Sequence, residues 1–96
     1  MLLHILNRSQ SSSRVPLDTL RAMSGNDRLL LIEDGVYGAV GPLANVFAAI
    51  QGRVYALQED LASRGLEDRR DPAIELVDMD GFVALTEQAT QTVSWY

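Results

Sequence analysis

The sequence predicts a compact α/β domain with a mostly parallel sheet of four to five strands and helices on both faces. Short apolar runs alternate with stretches of helical spacing along the whole chain. The run Leu29–Ile32 is continuously apolar, as expected for a strand that is covered on both faces of a parallel sheet. No linker divides the 96 residues, so we expect one domain spanning residues 1–96.

The first half of the chain predicts two strands and a helix. Leu2–Leu6 is a short apolar run typical of a buried strand. A polar loop follows, and Pro16 suits the first turn of a helix, where its missing N–H costs nothing. Leu17, Leu20 and Met23 then recur at helical spacing, and Ser24-Gly25-Asn26 ends that helix. Leu29–Ile32 is the second strand.

The middle of the chain predicts two short helical stretches and a third strand. A helix around Val36–Val40 should break at Gly41-Pro42, and the apolar spacing of residues 44–50 predicts a second stretch ended by Gly52. Val54–Leu57 is the third strand. Residues 58–65 then predict a helix with acids in its first turn, arginine in its last and glycine at its end, an arrangement that complements the helix dipole.

The last quarter of the chain predicts the remaining strands. Ile74–Val77 is the fourth strand, and Asp80–Gln88 is a helix with Phe82 available for burial. Thr92–Tyr96 alternates between apolar and polar residues, which favours a last, edge strand.

Composition excludes several classes of function. The chain has no cysteine, which removes thiol nucleophiles, thiolate metal sites and disulfides. All eight basic residues are arginine, against thirteen acids, and the net charge is −5. The one adjacent pair, Arg69-Arg70, is flanked by acids, so direct binding of nucleic acid is not expected. With no basic leader and no apolar run long enough for a bilayer, we expect a cytoplasmic protein.

Acidic residues recur just past three predicted strands, as Glu33-Asp34, Glu59-Asp60 and Asp78-Asp80. One interpretation is a carboxylate cluster that holds Mg²⁺ at the carboxyl edge of the sheet, in a metal-dependent hydrolase. The other is that these acids cap the helices that follow. A phosphoacceptor domain of the receiver type is excluded, because the chain has no lysine and carries Asn7 and Arg8 after its first strand.

The remaining polar and aromatic residues offer little chemistry. His4 is the only histidine, and without cysteine or a nucleophile motif it predicts a structural hydrogen-bonding residue near the sheet. Ser11–Ser13 lacks the glycines and lysine of a phosphate loop. The pair Trp95-Tyr96 is the best candidate for a protein interface, since aromatic side chains are enriched there.

Four segments in order resemble one family over essentially the whole chain. They are Leu2-Leu3-His4-Ile5-Leu6-Asn7-Arg8-Ser9, Leu29–Val36 with its Glu33-Asp34-Gly35, Val54–Gly65, and Phe82–Thr86 followed by Trp95. This order and spacing is similar to the TusB/DsrH family. The resemblance implies a DsrE-like fold, no cofactor and no catalytic residue.

The resemblance also implies partners and a pathway. Members of the family assemble with two homologous subunits, TusC and TusD or DsrF and DsrE, into a heterohexamer. In the tRNA branch, that complex passes persulfide sulfur from TusA to TusE for 2-thiolation of the wobble uridine, with the active cysteine on TusD. In the sulfur-oxidising branch the H subunit carries a cysteine in its first helix, where this chain has Thr19.

The family motifs and the chain end supply the candidate contact residues: His4, Asn7, Ser9, Glu33, Asp34, Gly35, Trp95 and Tyr96. We expect a non-catalytic subunit of a relay that thiolates tRNA. The alternatives are a subunit of a sulfur-oxidation complex and a freestanding homo-oligomeric binding protein of the same fold.

Overall fold

The computed structural model describes residues 1–95 and places five strands in one sheet. The strands are β1 (Leu2–Leu6), β2 (Arg28–Leu31), β3 (Val54–Leu57), β4 (Glu75–Val77) and β5 (Gln91–Trp95). The helices are α1 (Val15–Ala22), α2 (Gln58–Ser63) and α3 (Met79–Gln88), with 3-10 segments at Glu33–Ala39, Gly41–Ile50 and Glu67–Arg69. Every strand pair is parallel, and the order across the sheet is β4-β3-β2-β1-β5. The predicted α/β class is confirmed.

Helical segments cover both faces of the sheet, as the sequence predicts. On one face, Leu6, Leu29 and Leu31 pack with residues of α1, α2 and the first two 3-10 segments. On the other face, Leu3, Leu30 and Tyr55 pack against Leu85 and Phe82 of α3. Leu29, Leu30 and Leu31 are fully buried because their side chains alternate between two covered faces. Complete burial of one such side chain contributes about 1.5–3 kcal/mol.

The region between β2 and β3 differs in detail from the sequence-based expectation. The helix expected at Val36–Val40 is a 3-10 segment that starts at Glu33, three residues earlier. Gly41 and Pro42 do separate the two helical stretches, but they also begin the second one, which runs to Ile50. Gly41 has φ +58°, so the chain turns sharply there, and Pro42 fits the first turn of the next segment.

The edge of the sheet beside β1 is formed by the C-terminal strand. β5 pairs with β1 from Leu2↔Gln91 to Leu6↔Trp95, which agrees with the predicted edge strand. The connection from β4 crosses the sheet through α3 to reach β1. The first and last strands of the described chain are therefore hydrogen-bonded neighbours.

All helices of residues 1–95 are short. The α3 helix has ten residues and the α1 helix has eight. None of the helices in this part of the chain is long and apolar enough to cross a membrane.

Replacing Asp78 with alanine tests the capping interpretation of the acids. The Asp78 side chain caps α3 by accepting a hydrogen bond from the Gly81 N–H at 2.8 Å. We expect Asp78→Ala to lower the free energy of unfolding by about 1 kcal/mol, measured by urea denaturation. Asp80→Ala, at the same helix end without that bond, should lose only a few tenths of a kcal/mol. Equal losses for the two variants would argue against the cap.

Candidate functional site

Most of the predicted site residues lie at the carboxyl edge of the sheet. Because the strands are parallel, the residues that follow them meet at one edge. Asn7 and Ser9 follow β1, and Glu33, Asp34 and Gly35 follow the neighbouring strand β2. The structure therefore brings these five residues to the same edge, whereas His4 lies inside β1.

Gly35 permits a close backbone contact at this edge. A Cβ atom added to Gly35 would lie 2.3 Å from the carbonyl oxygen of Leu6 and 3.4 Å from the Cα of Asn7. The same Leu6 carbonyl accepts a hydrogen bond from the Ile32 N–H at 3.0 Å, so it cannot retreat without breaking the sheet. Gly35 is thus required for packing between the ends of β1 and β2.

Glu33 has a left-handed backbone conformation, with φ +48°. Its N–H donates to Oδ2 of Asp60 in α2 at 2.6 Å. Beside it, Asp34 accepts from Nη2 and Nε of Arg64, at 3.0 and 3.2 Å. The Asp34 side chain is 72% exposed, so this ion pair contributes little to stability. Together these bonds attach the 3-10 segment Glu33–Ala39 to α2 and to Arg64, the residue that follows it.

Replacing Glu33 with glycine separates backbone strain from side-chain function. Left-handed φ costs an ordinary residue roughly 1–2 kcal/mol, and glycine avoids that cost. The side chain of Glu33 is exposed, and the Asp60 bond uses only its backbone. We expect Glu33→Gly to change the free energy of unfolding by between about zero and 1 kcal/mol in the stabilising direction. A clear destabilisation in thermal or urea unfolding would show that the Glu33 side chain stabilises the fold, which contradicts the interpretation that only its backbone matters here.

Three of the six acids at the carboxyl edge use their side chains in internal bonds. Asp78 caps α3, Asp60 binds the Glu33 backbone, and Asp34 pairs with Arg64. Within residues 1–95, no three side chains from His, Asp and Glu are grouped so that they can hold a metal ion. The arrangement favours the capping and pairing role over a Mg²⁺ centre.

The loop after β1 is organised by its own hydroxyl groups. The Ser9 Oγ is hydrogen-bonded to the Ser11 Oγ at 2.7 Å, and the Ser9 carbonyl accepts from the Ser12 N–H at 3.2 Å. Ser13 Oγ accepts from the Val15 N–H at 3.1 Å, at the start of α1. Asn7 Oδ1 is buried and has no partner among the described residues. The serine run therefore forms a turn within the polar loop that follows β1.

His4 is the centre of a buried hydrogen-bonded chain that also includes Asp27 and Trp95. The His4 ring is 2% exposed. Its Nε2 lies 3.1 Å from Asp27 Oδ2, and its Nδ1 lies 3.1 Å from Trp95 Nε1. An indole N–H can only donate, so Nδ1 is the acceptor and the ring proton lies on Nε2, facing Asp27. His4 is a neutral imidazole in this geometry and has a structural role.

Asp27 receives three donors. Besides His4, the N–H groups of Leu2 and Ser24 donate to its carboxylate at 3.0 and 3.2 Å. Burial raises the pKa of Asp27, but the Leu2 N–H, the His4 ring and the Ser24 N–H together lower it by more. The pKa of this carboxyl therefore lies below its ordinary value, and Asp27 is ionised at neutral pH.

Sequence reasoning missed Asp27. Ser24-Gly25-Asn26 indicates a turn, and nothing in that pattern shows that the next residue binds His4. The pairing depends on the register Leu3↔Arg28, which places the residue before β2 beside the start of β1. Trp95, predicted as an interface residue, is half-buried here and packs against the core. Tyr96 lies outside the described residues.

A cavity of about 180 Å³ lies away from the predicted site. It is bordered by the 3-10 segment Gly41–Ile50, the start of β3 and the loop before β4. Its lining residues are Ala44, Asn45, Phe47, Ala48, Gln51, Val54, Asp71, Ala73 and Ile74. None of the residues predicted as a site lines this cavity.

The fold and the candidate site together define a class: a cysteine-free, all-parallel α/β domain in which Asp34, Asp60 and Asp78 at the carboxyl edge are held in internal hydrogen bonds and an ion pair. Comparison with known proteins identifies the family within this class. A family model described as "DsrH like protein" matches residues 8–92. The chain belongs to the DsrH-like family, which confirms the resemblance seen in its sequence.

Relatives match over their full length. Protein TusB of Escherichia coli K12 is 36% identical over 96 residues, covering 98% of this chain and all of the relative. Protein TusB of Serratia proteamaculans is 33% identical with the same coverage. The crystal structure of the E. coli ychN protein superposes with a TM-score of 0.79 over 97% of each chain, at 14% identity. That last likeness supports the fold alone.

Proposed function

We propose that this chain is a non-catalytic subunit of a sulfur-relay complex that delivers persulfide sulfur toward 2-thiolation of the tRNA wobble uridine. Its partners are a TusC-like and a TusD-like subunit, and the complex works between TusA-like and TusE-like carriers in the cytoplasm. Membership of the TusB/DsrH family over the whole chain is the observation that carries this proposal. The active cysteine belongs to the TusD-like partner.

The absence of cysteine determines the role of this subunit. A relay moves the terminal sulfur of a donor persulfide onto an acceptor thiolate and leaves the donor as a thiolate. This chain has no thiol that can take part in either step. Its contribution is therefore to assembly and to the surroundings of the partner's cysteine.

Thr19 favours the tRNA branch over the sulfur-oxidation branch. By the resemblance, this position of the first helix carries a cysteine in the sulfur-oxidising subunits. Here the Thr19 side chain is fully buried, and its Oγ1 donates to the Val15 carbonyl at 2.9 Å. A hydroxyl cannot hold a persulfide, and this one is bonded to its own helix.

The charge of the chain fits a protein partner. A net charge of −5 repels phosphates, so the tRNA is expected to contact the downstream proteins of the relay. Of the carboxyl-edge candidates, Glu33 and Asp34 are exposed and available for contact. Asn7, Ser9 and Gly35 are buried or half-buried and support the backbone beneath these two exposed side chains.

Reconstituted sulfur transfer tests the proposal. A TusA-like donor loaded with ³⁵S persulfide is mixed with the TusC- and TusD-like subunits, with and without this chain. We expect label on the TusD-like cysteine, none on this chain, and slower labelling when this chain is omitted. Equal labelling without it would contradict a role in the relay.

The level of 2-thiouridine distinguishes the branches. In cells that lack this gene, the proposal predicts loss of the 2-thio group from wobble uridine, measured by mass spectrometry of digested tRNA. As a matched control, a gene copy that carries Thr19→Ser, which keeps the hydroxyl, should restore the 2-thio group. Normal thiolation together with impaired sulfur oxidation would assign the chain to the other branch. Normal thiolation and normal oxidation would leave the freestanding homo-oligomer.

A further inference from the structure

We propose that His4 and Trp95 form a proton-controlled latch, in which protonation of His4 releases the Trp95 side chain and loosens the C-terminal end of β5. The proposal rests on the direction of the two hydrogen bonds at the His4 ring. It is independent of the proposed function.

The two sides of the ring respond differently to a proton. In the neutral ring, Nδ1 offers the lone pair that accepts the Trp95 indole N–H at 3.1 Å. An imidazolium carries N–H on both nitrogens and accepts nothing. After protonation, the Nδ1–H faces the indole N–H, and two donors repel each other. On the other side, Nε2–H continues to donate to Asp27.

Asp27 explains why the two hydrogen bonds of the His4 ring respond differently to protonation. Its carboxylate is buried and accepts from Leu2, Ser24 and His4, so it stays charged at neutral and mildly acidic pH. The carboxylate can accept from the Nε2–H of His4 whether or not Nδ1 is protonated. The protonated state therefore keeps the Asp27 bond and gives up the Trp95 bond.

Asp27 is the charged group that faces the ring from the elements packed on β1. Strand β5 (Gln91–Trp95) carries no charged residue. On β2, Arg28 lies over the Tyr55 ring, on the opposite face of the sheet. On α1, Asp18 and Arg21 are exposed. Arg53 reaches only the backbone of the turn, donating to the Asp27 carbonyl at 3.0 Å.

The position of Trp95 couples protonation of His4 to binding at the edge of the sheet. Trp95 ends an edge strand whose outer side has no strand neighbour among the described residues. A group that draws the indole away from His4 also removes the bond that opposes protonation. By linkage, binding at this edge and proton uptake by His4 then favour each other.

Nuclear magnetic resonance of the intact chain tests the latch directly. Trp95 is the only tryptophan and His4 the only histidine, so one indole signal and one imidazole signal report the pair. As the pH is lowered until the ring takes up its second proton, we expect the indole N–H signal and the His4 ring ¹⁵N shifts to move together. At high pH the ring proton should be on Nε2. Indole hydrogen exchange, corrected for its intrinsic pH dependence, should become about five- to tenfold faster, as loss of one hydrogen bond implies.

The His4→Gln variant is the matched control. Glutamine offers an acceptor and a donor but does not titrate, and every other ionisable group is kept. Its indole signal should stay constant with pH. The proposal is overturned if the wild-type indole signal is unchanged while the ring titrates, or if His4 stays neutral down to acid unfolding. The same pH response in His4→Gln would also overturn it, and the wild-type result decides the question if this variant does not fold.

Discussion

The Gly35→Ala variant is expected to lose roughly 3 kcal/mol or more of its free energy of unfolding. The added methyl group would lie 2.3 Å from the Leu6 carbonyl oxygen and 3.1 Å from its carbon, and both are backbone atoms at the carboxyl end of β1, which is paired on both sides. To relieve this clash with the Leu6 backbone, the 3-10 segment Glu33–Ala39 must move away from β1. For a domain of this size, that loss lowers the melting temperature by at least about 12 °C, measured by circular dichroism.

Two other glycines supply matched controls for this variant. At Gly38, an added Cβ meets the side-chain Oε1 of Gln10 at 2.7 Å, and a flexible amide can rotate away. Gly25, with φ +55°, has open space around it, so Gly25→Ala costs only backbone strain of about 1 kcal/mol. We expect Gly35→Ala to be clearly the worst of the three. Similar losses for all three would show that the contact with Leu6 is unimportant.

The Asp27→Asn variant is expected to lose about 2–3 kcal/mol at neutral pH. The carboxylate has three donors around it, from Leu2, Ser24 and His4, and an amide has only one oxygen to offer them. In either orientation, the asparagine NH₂ group points at an N–H. The expected fall in melting temperature is about 10–20 °C. Asp68→Asn makes the same charge change at an exposed position and should be nearly neutral.

The pH dependence of this variant follows from the lowered pKa of Asp27. An acid with a depressed pKa in the folded state stabilises the fold at pH values above its unfolded pKa of about 3.9. That contribution disappears as the pH falls through the lower, folded pKa. The difference in stability between wild type and Asp27→Asn should therefore be full at neutral pH and shrink below about pH 4. A difference that stays constant down to acid unfolding would argue against an ionised Asp27.

The strands could be predicted from the sequence because the first four are short, mostly apolar runs and the last alternates between apolar and polar residues. Leu2–Leu6 and Val54–Leu57 match the predicted bounds, β2 begins and ends one residue earlier than predicted, and β4 begins one residue later. The secondary structure of the segment between Glu33 and Ile50 is harder to predict from the sequence. Its apolar spacing predicts helix, but the Gly35 contact with Leu6 and the turn at Gly41 hold the chain in two 3-10 segments.

The candidate site could be predicted only in part. Residues that follow neighbouring parallel strands had to meet at the carboxyl edge, so grouping Asn7, Glu33 and Gly35 needed only the strand order. The hydrogen bonds of His4 to Asp27 and to Trp95 join residues that are 23 and 91 positions apart in the sequence. Such contacts depend on the strand register and on the direction of the side chains, and no local sequence pattern encodes either of these.

The central claim, that this chain works as one subunit of a relay complex, is tested most directly by co-expression with the TusC-like and TusD-like subunits of the same genome. The mixture is separated by size-exclusion chromatography, and the mass of each peak is measured. Our account predicts that all three chains elute together as one stable assembly. Elution of this chain by itself, beside folded partners that assemble without it, would contradict the account.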